Sequence, residues 1–71
     1  MQRIPVTSSE LVSVGYDPNS HVLEVEFSGG AVYQYHEVPA AQHEGLMSAL
    51  SHGRYFNEYV RNAGYSYSRK R

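Results

Sequence analysis

The chain has 71 residues, which is enough for one small domain but too few to bury a deep internal active site. It has no cysteine, which excludes disulfides and thiolate metal sites. Its net charge of −1 does not by itself predict a polyanionic partner. No apolar run approaches the roughly 18 residues of a membrane helix and the N-terminus has no apolar leader, so we expect a cytoplasmic protein without a membrane partner.

Two alternating segments predict the first two strands. Residues 12–16 and 23–27 alternate between apolar and polar or small side chains, as half-buried strands do. The sequence DPNS between them is typical of a type I turn. A four-residue loop over these letters pairs Val14 with Leu23 and turns Val12 toward the same apolar face.

A third strand is predicted at 31–38, where two tyrosines stand one residue apart and therefore share one face. A two-residue turn before this strand would place both tyrosines beside glutamates. A three-residue loop with Gly30 in the left-handed position instead pairs Val25 with Tyr33 and Leu23 with Tyr35. Because it gives one continuous apolar face, the longer loop is favoured, and both tyrosines are predicted to face the core.

A first helix is predicted from Pro39, which suits the first helical position, to about Leu50. Its apolar stripe consists of His43, Leu46, Met47 and Leu50, so His43 is expected to pack in the core. Gly45 weakens this helix by roughly 1 kcal/mol relative to alanine and is expected to permit close packing on the sheet.

A second helix is predicted from about residue 54 to residue 62, with Gly64 as its end. Ser51 is expected to cap this helix, and Gly53 to supply an unusual backbone angle. Tyr65 and Tyr67 follow in a short extended segment.

Together these elements predict an α+β fold, with a three-stranded antiparallel meander followed by two helices packed on one face of the sheet. Residues 1–7 show no periodicity and are expected to form a flexible N-terminal arm. Residues 8–67 then form a single domain, and residues 68–71 a basic C-terminal tail.

Several segments of the chain resemble the KTSC domain family. They are Val14–Asp17, Leu23–Phe27, Gly30, Val32–Tyr35, Val38-Pro39, Ala49, Ser51–Asn57 and Val60-Arg61. The resemblance spans about residues 8–67, and its most specific part combines Tyr-x-Tyr, Val-Pro and Ser-x-Gly-x-Tyr-Phe-Asn. His43 departs from the family pattern, which has an aromatic residue at that point. The family is named for a C-terminal extension of some lysyl-tRNA synthetases, which implies an accessory module with RNA as its candidate ligand.

The distribution of charge supports a basic end. Residues 1–51 carry a net −5, whereas residues 52–71 carry +4. Single-strand binders combine phosphate-binding cations with aromatic side chains that stack on bases. The predicted RNA-binding residues, for tRNA or single-stranded RNA, are Arg54, Tyr55, Arg61, Tyr65, Arg69, Lys70 and Arg71. Glu24 and Glu26, on the open face of the sheet, would repel phosphate there. A solubilising tail and core tyrosines form the simpler alternative.

The alternative function is a protein-interaction module that uses the exposed edge of the sheet, with Val22 and Val32 on its outer face. Asn57 and Arg61 lie one helical turn apart, so they either share a ligand in a polar pocket at the helix junction or belong to a fixed turn.

Catalytic and metal signatures have no support in the sequence. The chain has no nucleophile elbow and no phosphate loop, and Ser51 beside His52 is a poor geometry for a catalytic dyad. His36-Glu37 and His43-Glu44 lack the i, i+4 spacing of a zinc protease. A non-catalytic module without metal or other cofactor is therefore expected.

Overall fold

The computed structural model describes all 71 residues, and its strands form one five-stranded antiparallel sheet. The strands are β1 (Ile4–Pro5), β2 (Leu11–Asp17), β3 (Val22–Phe27), β4 (Val32–Tyr35) and β5 (Tyr67–Arg69), and they lie in the sheet in chain order. Two helices, α1 (Ala40–Ser48) and α2 (His52–Tyr59), and a 3-10 turn at Arg61–Ala63 separate β4 from β5 in the chain. No helix has the length and hydropathy that crossing a membrane requires.

The α+β class and the two helices are confirmed, but the predicted number of strands is wrong, since the sheet has five and not three. The additional strands are the outermost two. β1 pairs with β2 through Ile4 and Val14, and β5 pairs with β4 through Tyr67 and Tyr35. Segments of two and three residues are too short to show an alternating pattern, so pairing with a longer neighbour is what makes them strands.

The hairpin between β3 and β4 has the predicted register. Val25 pairs with Tyr33 and Leu23 with Tyr35, and the amide of Phe27 donates to the carbonyl of Ala31 at 2.8 Å. In the loop, Gly29 and Gly30 have φ angles of 101° and 99°, which side chains with a Cβ rarely adopt. The three-residue loop is therefore confirmed.

The hairpin between β2 and β3 is shifted by two residues from the predicted register. Val14 pairs with Val25 instead of Leu23, because Asp17 still belongs to the ladder and the loop begins at Pro18. A shift of two leaves the side chains on their predicted faces. The register then changes by one residue after Leu11, as in a β-bulge, so Leu11 enters the core and Val12 is 43% exposed. The inward orientation predicted for Val12 is wrong.

The core lies between the two helices and one face of the sheet, which we call the front face. Its nine buried side chains are Leu11, Val14, Leu23, Val25, Tyr35, Val38, Leu46, Phe56 and Val60. Burial of an aliphatic or aromatic side chain of this size contributes about 1.5–3 kcal/mol. Tyr35, only 5% exposed, is a core residue as predicted, whereas Tyr33 is half-buried.

Two features of the helices agree with the sequence. Ser51 caps α2, because its hydroxyl accepts a hydrogen bond from the Arg54 amide at 3.3 Å. His43 packs against the core, with its ring stacked on Tyr16 at 4.8 Å between centroids and 8° between planes. Burial lowers the pKa of His43 and thereby favours the neutral ring.

Three helix details differ from the predictions. α1 ends at Ser48, so Leu50 is fully exposed and does not continue the apolar stripe. Gly45 serves contact between the helices, since a Cβ there would overlap the Tyr55 ring. Gly53 has an ordinary helical backbone angle and is buried. A Cβ added at Gly53 would lie 3.4 Å from Oε1 of Glu10.

The opposite face of the sheet, which we call the back face, is covered. Glu24 is 8% exposed, and its carboxylate accepts hydrogen bonds from Arg3 Nη1 at 2.5 Å and Gln34 Nε2 at 2.8 Å. Arg3 Nε also donates to Ser13 Oγ at 2.9 Å. Burial by itself raises the pKa of Glu24, but these hydrogen bonds and the charge of Arg3 outweigh it, so the pKa lies below its usual value. The predicted exposure of Glu24 is wrong because the N-terminal segment lies over it.

The predicted exposure of Val22 and Val32 beside an interaction edge is also wrong. β4 is paired on both sides, with β3 and β5, so it has no free edge. Val32 is 4% exposed and Val22 is half-buried, which leaves no open apolar surface at these two positions. The edges of the sheet are β1 and β5.

Candidate functional site

A groove opens at the end of the sheet where β3 turns into β4. It has a volume of about 600 Å³ and is lined by Ser9, Glu10, Phe27, Ser28, Ala31, Tyr33, Tyr35, Arg61 and Tyr67. We call it the aromatic groove. β5 completes it, because the antiparallel ladder places Tyr67 opposite Tyr35 and Arg69 opposite Tyr33, on the same face of the sheet.

Three tyrosines from β4 and β5 form one side of the groove. The rings of Tyr33 and Tyr35 are 6.4 Å apart between centroids and 23° from parallel, and Tyr67 lies 5.8 Å and 5.6 Å from them. Tyr67 is 62% exposed, so most of its surface is available to a ligand. Burial raises the pKa of Tyr35, and Arg61 offsets part of that effect, so the phenol remains protonated at neutral pH.

Two guanidinium groups lie over the aromatic rings of this region. The Arg61 guanidinium carbon is 5.3 Å from the ring centroid of Phe56 and 5.6 Å from that of Phe27. The Arg69 guanidinium carbon is 5.9 Å from the ring centroid of Tyr33. At these distances the guanidinium groups form cation–π interactions with the rings. Such interactions orient the arginine side chains without neutralising their charges. Neither arginine forms a salt bridge. Arg69 Nε donates to the backbone carbonyl of Arg71 at 3.1 Å, and its two terminal nitrogens remain available to an anion.

The seven residues predicted to bind RNA do not form one surface. Arg61 lines the aromatic groove, and Arg69 lies beside it, over the ring of Tyr33. Arg71 lies elsewhere, because its Nη2 pairs with Glu26 Oε2 at 3.2 Å and its Nε donates to the carbonyl of Gly30 at 3.1 Å. The side chain of Lys70 is exposed, while its amide donates to the Val32 carbonyl at 2.7 Å.

The remaining three predicted residues belong to other parts of the molecule. The hydroxyl of Tyr55 donates to Gln42 Oε1 at 2.8 Å, and its ring lies 4.7 Å from that of Tyr59, so it packs between the helices. Tyr65 is half-buried against the core. Arg54 lines a second cavity.

This second cavity is a polar cleft of about 420 Å³ at the junction of α1 and α2. A polar pocket at this junction, shared by Asn57 and Arg61, is one of the two alternatives that the sequence leaves open. Its lining includes Ser51, Arg54 and Asn57. Arg61 is not part of it, so Asn57 and Arg61 do not share one cavity. Asn57 Nδ2 lies 3.4 Å from both carboxylate oxygens of Glu10, and its Oδ1 is buried without a hydrogen-bond partner. The chain contains no cluster of three or more His, Asp or Glu side chains that could hold a metal ion.

Eight of the nine lining residues are not among the seven predicted to bind RNA, and five of these eight carry a charged or aromatic side chain: Glu10, Phe27, Tyr33, Tyr35 and Tyr67. The sequence predicts that both strand tyrosines mainly face the core, although Tyr33 and Tyr35 also line the groove. The alternation of Tyr67 and Arg69 is the one local signal that predicts a shared face for these two residues. That this segment pairs with β4 is a long-range contact, which local periodicity does not contain.

Comparison with known proteins decides the family. The profile of the KTSC domain matches residues 7–65, most of the chain. The chain belongs to the KTSC domain family. An uncharacterised protein of Stutzerimonas stutzeri is 46% identical over 69 residues, which cover 97% of both chains.

This KTSC domain is also similar to a segment of a longer protein and to a protein of known crystal structure. A lysine–tRNA ligase of Nostoc sp. is 37% identical over 46 residues, which are 65% of this chain and 8% of the ligase. The crystal structure of a KTSC domain protein from Yersinia pestis superposes with a TM-score of 0.92 at 39% identity, over 99% of this chain and 97% of the other. This coverage includes both short edge strands.

Proposed function

We propose that this KTSC domain is a non-catalytic module that binds single-stranded RNA in the aromatic groove. The observation that carries the proposal is the exposed ring of Tyr67 beside two arginines, Arg61 and Arg69, that have no carboxylate partner. Stacking of a base on an aromatic side chain is worth about 1–3 kcal/mol and works for every base. Guanidinium groups bind phosphate oxygens through two parallel hydrogen bonds.

The family supports the choice of RNA over other anionic ligands. A segment of lysine–tRNA ligases resembles this chain, and those enzymes are named for their tRNA substrate. Single-stranded loops and ends are the parts of an RNA whose bases are free to stack on protein side chains. The expected ligand is therefore a single-stranded segment, either alone or within a tRNA.

An amide NMR titration with a mixed tRNA pool, first in low and then in physiological salt, tests this proposal. Shifts are expected at residues 27–35 and 61–69, and they should weaken as salt rises, because phosphate contacts release counterions. The absence of shifts in low salt would contradict RNA binding.

Arg61→Ala and Arg71→Ala form a matched pair for this titration. Both remove one positive charge from the exposed surface, but Arg61 lies at the groove and Arg71 is paired with Glu26. We expect Arg61→Ala to weaken binding and to lower the slope of log K against log salt by about one. Arg71→Ala should leave both quantities close to wild type; an equal loss in both variants would mean that only total charge matters.

A protein ligand is the second candidate, and it has one favourable observation. β5 ends the sheet, so its outer edge has no strand partner and offers backbone groups to an extended peptide. Binding of this kind depends weakly on salt, whereas phosphate contacts depend on it steeply. The salt series of the titration therefore separates the two candidates.

A further inference from the structure

The two edges of the sheet differ in how readily they accept a further strand. β1 has only two residues, and one of them is Pro5, which has no N–H to donate. β5 has three residues and no proline, and its side chains Tyr67 and Arg69 are exposed. β5 is therefore the edge at which a further strand finds backbone hydrogen-bonding groups.

The backbone groups of Tyr67 and Arg69 point away from the sheet. On the side of β4, the carbonyl of Ser66 and the amide of Lys70 form hydrogen bonds of 2.9 Å and 2.7 Å. Residues of an antiparallel strand alternate in the side to which they direct their backbone groups. Tyr67 and Arg69, which alternate with Ser66 and Lys70, therefore present their N–H and C=O groups at the free edge.

The side chains of this edge are complementary to those of a second copy of the chain. In the β4–β5 ladder Arg69 lies opposite Tyr33, and its guanidinium carbon is 5.9 Å from the centroid of that ring. A second β5 strand, antiparallel and related by a two-fold axis at Ser68, would place Tyr67 of each copy opposite Arg69 of the other. The contact between tyrosine and arginine that forms within the chain would then recur twice between the chains.

The neighbouring registers are less favourable than the axis at Ser68. An axis at Arg69 would place two guanidinium groups directly opposite each other, where like charges repel. An axis at Tyr67 would pair Arg69 with Tyr65, which lies outside the strand. With the axis at Ser68, every residue of β5 has a partner within β5 of the other copy.

We propose that two copies of this KTSC domain associate through β5, as an antiparallel strand pair with its two-fold axis at Ser68. Tyr67 of each copy exchanges backbone hydrogen bonds with Arg69 of the other. Because the axis is perpendicular to the sheet, the two aromatic grooves lie on the same face of one continuous sheet. A contact of three residues in each copy buries far less than the roughly 1,200–2,000 Å² of a stable interface, so we expect a weak dimer.

NMR measurements on the protein without RNA test this proposal independently of the proposed function. Translational diffusion should slow as the protein is concentrated from about 20 μM to about 1 mM, in line with a dissociation constant of about 0.1–1 mM. In a mixture of labelled and unlabelled protein, we expect an isotope-filtered NOE between the Hα atoms of the two copies of Ser68. The reason is that an antiparallel pair without mutual hydrogen bonds brings its Cα atoms to about 4.5 Å.

Two results of these measurements would overturn the proposal. A protein that is still monomeric at about 1 mM does not self-associate through β5, which leaves that edge to a peptide partner. A dimer that gives no NOE between the two Ser68 residues associates through another surface.

Arg69→Pro and Arg69→Ala form a matched pair of variants. Both remove the arginine side chain, but only proline also removes the outward N–H, and proline is tolerated on an edge strand where that group faces solvent. Arg69→Ala should weaken dimerisation about fivefold through the loss of cation–π contacts and keep the Ser68 NOE. Arg69→Pro should abolish both the NOE and the dependence of diffusion on concentration.

The amide spectrum of each variant shows whether β5 still pairs with β4. Retention of the Ser68 NOE by a folded Arg69→Pro variant would overturn the strand pairing. The wild-type dilution series and the NOE decide the proposal on their own should Arg69→Pro fold poorly.

Discussion

The two faces of the sheet differ in whether their charged side chains form ion pairs. On the back face, Glu24 and Glu26 are held by Arg3 and Arg71, one from each end of the chain. At the aromatic groove, the arginines and Glu10 have no charged partner within salt-bridge distance. Because a buried charge without a partner is costly, Glu24 needs its partners, whereas the more exposed groove charges do not. The back-face charges therefore hold the chain termini on the sheet, and the groove charges remain available to a ligand.

The aromatic residues show the same contrast within the front face. Tyr35 and Tyr67 are opposite each other across the β4–β5 ladder, with exposed fractions of 5% and 62%. Tyr35 also contacts Phe56 edge-on at 5.4 Å, within the core. One residue of this pair stabilises the fold, and the other is free to stack on a ligand.

The largest effect is expected from truncating these two tyrosines. Tyr35→Ala should lower the free energy of unfolding by about 3–5 kcal/mol, since it leaves a cavity in a small core. Tyr67→Ala should cost about 1 kcal/mol or less, because its side chain is mostly exposed, while it weakens RNA binding. Urea denaturation measures both changes. Similar losses in the two variants would show that Tyr67 is as much a core residue as Tyr35.

The next effect concerns the back face. Glu24→Gln should lower the free energy of unfolding at pH 7 by about 1–3 kcal/mol, because Arg3 loses its ionised acceptor at a buried site. Glu44→Gln, on the exposed surface of α1, provides the control and should change stability little. Urea denaturation at neutral pH is the measurement, and a loss no larger than in the control would mean that the network does not stabilise the fold.

The same carboxylate predicts a dependence on pH. The pKa of Glu24 is lower in the folded chain than its ordinary value of 4.5, so the unfolded chain binds the proton more readily. The contribution of Glu24 is therefore complete above pH 4.5 and is lost as the pH falls through the folded-state value. Urea denaturation midpoints measured between pH 7 and pH 3 should fall more steeply for the wild type than for Glu24→Gln. Parallel curves would contradict the assignment.

The smallest effect is expected at Arg71. Its side chain is 62% exposed, and exposed ion pairs are worth about 1 kcal/mol or less. Arg71→Ala should therefore lower the free energy of unfolding by no more than that, as measured by urea denaturation. A loss as large as that of Glu24→Gln would show that the C-terminal contact is as important to the back face as the N-terminal one.

The regular elements of the fold could be predicted because their signals are local. Strands β2, β3 and β4 alternate over four to seven residues, and the helices follow a proline and a capping serine. The glycines at 29–30 fit a loop of either two or three residues, and the continuous apolar face selects the observed register of the β3–β4 hairpin. The β2–β3 register was not predictable in the same way, since its turn residues fit a loop that starts at Asp17 or at Pro18.

The candidate site was only partly predictable. Arg61 and Arg69 were expected from charge, but Glu10 carries no sequence signal that relates it to them. Tyr55 and Arg71 lie away from the groove, because each has a partner distant in sequence, Gln42 and Glu26 respectively. Charge composition identifies a basic segment, and it does not identify which of its side chains are already paired.

The sequence by itself determined the α+β class, the core tyrosine of β4, the cap of α2 and the membership of a family. These follow from periodicity, turn chemistry and matching segments, which are properties of neighbouring residues. Only the tertiary structure decided that both ends of the chain join the sheet and that the back-face glutamates are covered. It also decided that Tyr67 of β5 and Arg61 line one groove. The reason is physical: strands of two or three residues gain their hydrogen bonds only when a longer strand is already beside them.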